Sequence, residues 1–133
     1  MSERTVVQKL QIKPGRTVRL INAPQEAYAL LGAMPESAVL LDDKTGPDGA
    51  LPPADILILF AHHRGDLETH LPGLRQALTP GGMIWVAYHK GTSLVKTDIN
   101  RDSIWNYAQT VGLDAVAQVS INDDWSAVRL KVV

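Results

Sequence analysis

The apolar residues of this chain fall into two kinds of run. Asp55 to Ala61 (DILILFA) and Met83 to Tyr88 (MIWVAY) are apolar on successive positions, as strands covered on both faces are. Both are predicted as central strands. Val18, Leu20 and Ile21 form a shorter strand ended by Asn22-Ala23-Pro24, and Ala38 to Asp43 (AVLLDD) forms another. The second kind of run repeats at helical spacing. Ala27, Leu30 and Leu31 mark a helix of about two turns that begins near Pro24 and stops at Gly32. Leu67, Leu71, Leu74 and Leu78 mark a longer helix after Gly65, which Pro72 should kink or interrupt and LTPGG should stop. A third helix carries Ile104, Ala108 and Val111, with Asn100 or Asp98 as its cap and Gly112 at its end. Asp114 to Val132 reads as two alternating strands around Asn122-Asp123-Asp124, a β-hairpin. Gly46, Pro47, Gly49, Pro52 and Pro53 make the segment between the second and third strands a loop.

Strand, helix, strand, loop, strand, helix, strand, helix, hairpin is an α/β order. Right-handed crossovers then place helices on both sides of the strands. The expectation is a three-layer, Rossmann-like domain over residues 1–133, with a mainly parallel six-stranded sheet broken only by a C-terminal antiparallel hairpin.

Composition narrows the function classes. With 45% hydrophobic and 20% charged residues the chain has the balance of a folded globular protein. Its 13 basic and 14 acidic residues form no run of like charge, so neither nucleic acid nor an anionic membrane is an expected partner. Cysteine is absent, which excludes disulfides, thiolate metal sites and a cysteine nucleophile. MSERTVVQKLQ lacks the apolar centre of a signal peptide, and no apolar run approaches the ~20 residues of a membrane helix. A cytoplasmic location is the expectation.

Ligands of open α/β sheets bind at the carboxyl ends of the strands. Here those ends carry Asn22, Asp42, His62, His63, His89 and Lys90. His62-His63-Arg64 offers an imidazole base or a metal ligand, but adjacent side chains of an extended chain point oppositely. A solvent-exposed or hydrogen-bonded histidine pair is therefore expected, and no metal. HKGTS, His89 to Ser93, with Lys96 beyond it, offers an ammonium, hydroxyls and glycine-exposed amides that can hold a phosphate or carboxylate. A polar loop capped by Asp98 is the simpler reading of the same residues. There is no G-x-S-x-G and no Ser-His-Asp order, so nucleophilic catalysis is not expected. Trp85 and Trp125 are predicted to pack in strands, and Trp105 to stand partly exposed on the last helix.

The same landmarks resemble those of class I S-adenosylmethionine-dependent methyltransferases. IKPGRTVRLINA is similar to their "PG-x-x-V-L-D-hydrophobic-G" first strand, ADILILFA to their fourth strand, LTPGGMIWVAY to their "L-x-P-G-G" turn and fifth strand, and VGLDAVAQV with WSAVRLKV to their final hairpin. The resemblance runs from Leu10 to Val132. More narrowly, KLQIKPG, LINAP, LPGL, GGMIWVAYHKGTS, KTDINRD and DDWSAVRL resemble a family of small bacterial proteins of unknown function, themselves reduced methyltransferase-like domains. The chain departs from that family at His89, where a proline usually precedes the lysine.

This resemblance implies a cofactor turn at Asn22 and a ribose-binding acid at Asp42 or Asp43. The glycines that let backbone approach such a cofactor are replaced by Asn22, Ala23 and Pro24. Pro24 also removes an amide from the helix start, and Glu26 adds negative charge there. Only 11 residues separate Asp43 from Asp55, too few for the helix, strand and helix of the parent pattern. Ala38–Leu41 is then an edge strand, a candidate surface for a homodimer. These features favour a degenerate domain without a cofactor, acting as a non-catalytic binding or regulatory protein toward an unidentified protein partner. One alternative is a minimal methyltransferase, with S-adenosylmethionine near Asn22 and Asp42 and its substrate at the His62–Arg64 and His89–Lys90 loops. Another is a small-ligand sensor whose crevice contacts come from His62, His63, Arg64, His89, Lys90 and Ser93.

Overall fold

The computed structural model describes residues 5–32, 34–41, 52–90 and 97–132. Their elements are α1 (Val6–Lys9), β1 (Thr17–Ile21), α2 (Ala27–Leu31), β2 (Val39–Leu41), β3 (Ala54–Ala61), α3 (Arg64–Leu74), a 3-10 turn (Arg75–Ala77), β4 (Leu78–His89), α4 (Arg101–Thr110), β5 (Leu113–Ser120) and β6 (Trp125–Val132). The six strands form one sheet in the order β2-β1-β3-β4-β6-β5. β1 runs parallel to β2 and β3, and β3 to β4. β6 is antiparallel to both β4 and β5. The hairpin alone breaks parallelism, as the pattern predicts.

The unbroken apolar run of β3 divides by alternation between the two faces of the sheet. Ile56, Ile58 and Phe60 join Val7, Leu10, Ile12, Ala27 and Leu31 in one core. Leu57, Leu59 and Ala61 join Leu67, Leu71, Leu74, Ile104 and Ala108 in the other. Thus α1 and α2 cover one face, α3 and α4 the other, and the domain has the three layers of a Rossmann-like α/β fold. Trp85 and Trp125 are buried, and Trp105 is 44% exposed, with its indole N–H donating to Asp114 Oδ1 at 3.0 Å.

Several boundaries differ from the sequence pattern. LTPGG does not stop the chain between elements. It is the opening of β4, where the register against β3 jumps from Ala54–Leu78 to Ile56–Met83 and Gly81 takes φ +78°. A Cβ at Gly82 would come 2.5 Å from the Asp55 carbonyl, so only glycine fits this bulge. The Leu67–Leu78 stripe ends early for the same reason, since Leu78 belongs to the strand. Nor does Pro72 interrupt α3, which stays α-helical to Leu74 and tightens into the 3-10 turn only at Arg75. Pro72 lies on the exposed side, with Glu68, the residue one turn before it, also exposed, so water can serve the carbonyl that lacks its amide. α2 is shorter than expected, five residues starting after Glu26, which makes no side-chain cap. Gly32 does end it, at φ +70°.

One element escaped the sequence pattern altogether. Thr5 and Gln8 form a reciprocal capping box on α1, and the segment that follows is held by Trp85, whose Nε1–H donates to the Leu10 carbonyl at 3.0 Å. The buried Arg19 of β1 was also unanticipated; its guanidinium donates to the Pro52 carbonyl at 3.0 Å. β2 ends the sheet at one side, as expected of Ala38–Leu41, and Val39 is largely exposed. Among the described residues no helix is long and apolar enough to cross a membrane.

Candidate functional site

The chain leaves β1 for β2 on one side and returns as β3 on the other, so the topological switch point lies between β1 and β3. Asn22, just past β1, faces that gap. Its φ of +56° is a left-handed conformation that asparagine tolerates better than most residues. Its Nδ2 donates to the Phe60 carbonyl at 2.9 Å, a side-chain bridge from the end of β1 to the end of β3.

Beyond β3 the chain presents His62 and His63, and they part. His63 is extended, at φ −143° and ψ 164°, which sends successive side chains to opposite sides. His62 reaches His89 at the end of β4, with Nδ1 and Nε2 3.1 Å apart. His89 in turn places Nδ1 3.1 Å from Asp124 Oδ1 in the β5–β6 turn. The hydrogen-bonded histidine pair is therefore His62 with His89, and not the adjacent His62 and His63. His89 is 3% exposed and lies against Trp125, ring centroids 4.0 Å apart and tilted by 33°. Phe60 and His62 each approach the same indole at 5.4 Å, nearly edge-on.

The start of α3 fixes the backbone of this cluster. Asp66 accepts from the amides of His62 at 2.8 Å and His63 at 3.2 Å, and the Thr97 hydroxyl donates to the His62 carbonyl. Asp98 accepts from the Arg64 amide at 2.7 Å and stands 3.9 Å from His63 Nδ1. Asp98 thus serves α3, while Asn100 caps α4 by accepting from the Ser103 amide at 2.9 Å. Negative carboxylates at a helix N-terminus complement its dipole. Lys90 turns away from the histidines: its amide donates to the Asp124 carbonyl at 2.8 Å and its Nζ to Ser120 Oγ at 2.6 Å.

Burial, and next the neighbouring His89, hold the His62 imidazole below its usual proton affinity; His63 adds to this, and Asp66 and Glu26 oppose it. His62 is accordingly neutral at pH 7. On the other face a cavity of about 320 Å³ opens beside Tyr88, Lys90, Arg101, Gln118 and Ser126. Burial, opposed by a hydrogen bond with Ser126, raises the Tyr88 phenol above its ordinary value, and Gln118 Nε2 donates to the Tyr88 oxygen at 2.6 Å.

Of the residues named from sequence, the structure joins His62 and His89 into one cluster and sets Asn22 across the neighbouring gap. His63 and Arg64 belong instead to the Asp98 side of α3. Asp42, Asp43, Ser93 and Lys96 lie outside the described residues. Among the described residues no group of three or more His, Asp or Glu side chains is arranged to hold a metal ion. Asp124 was missed: in Asn122-Asp123-Asp124 it reads as turn composition, and only the sheet order, which brings the β5–β6 turn beside the end of β4, gives it a partner.

The sequence profile of a family described as "Protein of unknown function (DUF3052)" matches residues 35–133. No curated protein matches the chain in sequence. Solved structures do match in shape. A SAM-dependent methyltransferase from Aquifex aeolicus superposes with a TM-score of 0.65 at 13% identity, covering 96% of this chain and 88% of that one. DhpI in complex with SAH gives 0.64 at 11% identity over 96% and 82%. A TehB-like SAM-dependent methyltransferase from Corynebacterium glutamicum gives 0.59 at 10% identity over 98% and 89%. At such identities the likeness establishes the fold, a methyltransferase-like Rossmann architecture.

Proposed function

The chain belongs to the DUF3052 family, and we propose that it is a methyltransferase-like domain that does not use S-adenosylmethionine and acts by binding, through the polar cluster at the carboxyl ends of its strands. One observation carries this reading: the Asn22 side chain crosses the switch point and bonds the Phe60 carbonyl at 2.9 Å. A cofactor lying along that gap needs bare backbone there, which glycine provides and an asparagine amide obstructs. Two neighbours act in the same direction. Pro24 withholds an amide, and Glu26 puts a carboxylate before a helix of only five residues, too short to offer a strong positive end.

A minimal methyltransferase is the competing reading, favoured by the fold that the chain shares with DhpI, whose structure holds SAH. Thermal unfolding with and without S-adenosylmethionine and S-adenosylhomocysteine separates the two. A ligand at ~100 times its dissociation constant stabilises a protein by about 2.7 kcal/mol, a shift of several degrees in a domain of this size. The expected result is no shift at millimolar ligand; a clear shift overturns the proposal.

A further inference from the structure

The three linked groups Asp124, His89 and His62 define one another's protons. A carboxylate only accepts, so His89 must carry hydrogen on Nδ1, the nitrogen 3.1 Å from Asp124 Oδ1. In the resting state proposed below, His89 is neutral and its Nε2 accepts. His62 then donates from Nδ1 across the 3.1 Å contact, which leaves its own Nε2 without hydrogen. The His89 ring is held in place, 3% exposed and packed on Trp125; the His62 backbone is tied to Asp66 and Thr97, and its ring lies edge-on to the same indole. His62 is itself half-buried, and its Nε2 makes no hydrogen bond among the described residues.

We propose that Asp124, His89 and His62 form a proton relay that makes His62 Nε2 the accepting group of a binding site for a small ligand with an acidic hydroxyl. The ligand O–H donates to Nε2. As that proton transfers, the hydrogen on His62 Nδ1 passes to His89 Nε2. His62 ends neutral, the ligand becomes an oxyanion, and the positive charge rests on His89 beside the Asp124 carboxylate. No atom or electron is gained or lost, and the new charge sits where a carboxylate already compensates it. Among the described residues the ionisable groups acting on His62 are Glu26 from the β1–α2 turn, His63 just before α3, Asp66 from α3 and His89 from β4, with Asp124 reached through His89. His89 and Asp124 are positioning residues in this scheme. The inference rests on the strand-end cluster being the binding site, and its test contains no S-adenosylmethionine, so that either reading can fail alone.

The test is imidazole ¹⁵N–¹H long-range correlation on the full chain, followed by titration with 4-nitrophenol, whose absorbance reports its own ionisation. The wild type should show both His62 and His89 as Nδ1–H tautomers. 4-Nitrophenol should shift the His62 Nε2 signal and bind as its phenolate. Asp124→Asn should mix the His62 tautomers and weaken 4-nitrophenol at least 10-fold, an effect transmitted through His89 that a merely structural Asp124 would not produce. An Nε2–H tautomer at His62 in the wild type overturns the relay, and that reading needs no variant to fold. So does equal 4-nitrophenol binding, or none, in the wild type and Asp124→Asn. Equimolar Zn²⁺ that moves both ring signals together would identify a metal pair in place of a relay.

Discussion

The two ends of the sheet are each held by polar side chains that reach across strands, and they differ in what is left over. At the amino end, Asp55 of β3 binds both neighbouring strands. Its Oδ2 accepts from the Thr17 amide at 3.0 Å and the Thr17 hydroxyl at 3.1 Å, and its Oδ1 accepts from the Thr79 hydroxyl at 2.8 Å. The Asp55 amide donates back to Thr17 Oγ1 at 3.0 Å. Every group there has a partner within the fold. At the carboxyl end the chain from Asp124 through His89 stops on His62, an imidazole whose second nitrogen makes no hydrogen bond among the described residues. Saturated clusters of this kind stabilise, because each donor and acceptor already has its bond. A cluster that ends on a ring nitrogen without such a bond has room for one more partner, and in this fold class that end is where ligands bind.

The sharpest way to break this contrast is Asp55→Ala. Removing the carboxylate strands a backbone amide and two hydroxyls in a half-buried setting, and should cost about 2–3 kcal/mol in chemical denaturation. The Thr17 amide, and next the Thr79 hydroxyl, hold the Asp55 carboxyl below its ordinary 3.8. A depressed acid adds stability that is fully present above 3.8 and lost as pH falls through the folded value. The variant should lack that acid limb. If Asp55→Ala is as stable as the wild type from pH 7 down to 3, the amino-end cluster is not a structural clasp and the contrast loses one side.

How far the sequence revealed these two ends differs as well. Element order was legible because the continuous apolar runs of β3 and β4 and the alternating hairpin leave little choice of partner or layer. The amino-end clasp was hidden inside strand residues. Thr17 and Asp55 are 38 positions apart, and nothing local marks a threonine that will face an aspartate two strands away in sequence. Pro-Gly-Gly misled for a related reason: its turn chemistry is real, but the bulge it makes belongs to β4, where the close approach of the Asp55 carbonyl requires Gly82. At the carboxyl end, topology made His62 and His89 foreseeable as crevice residues. Their pairing, and the part of Asp124, depend on which strand ends meet in space, a long-range outcome absent from residue spacing.

His62→Gln sharpens the comparison through pH. Burial, then His89, holds the His62 pKa below its ordinary 6.5. The unfolded chain therefore takes up a proton first as pH falls past 6.5, and stability drops between there and the folded value, then levels. Glutamine does not titrate, so the variant should show a flatter stability profile just below pH 6.5 while keeping the acid limb of Asp55 below 3.8. The measurement is urea denaturation at a series of pH values. A His62→Gln profile that overlays the wild type would mean that the carboxyl-end imidazole carries no strain of its own.

The smallest effect, and the finest test of the division between the ends, is Asn22→Gly. Glycine relieves the left-handed φ of +56° and gives up the bond from Nδ2 to the Phe60 carbonyl. Relief of about 0.5–1 kcal/mol against loss of a hydrogen bond of about 1 kcal/mol should leave the stability change within about 1 kcal/mol by denaturant titration. That is the behaviour of a residue retained for closing the switch point. Because Pro24 and Glu26 remain, the variant should still fail to be stabilised by S-adenosylmethionine. A cost above about 2 kcal/mol would put Asn22 with Asp55, as a clasp whose removal leaves buried groups unpaired. The obstruction at the switch point would then be a by-product of holding β1 to β3, and the carboxyl end would be structural up to the edge of the histidine cluster.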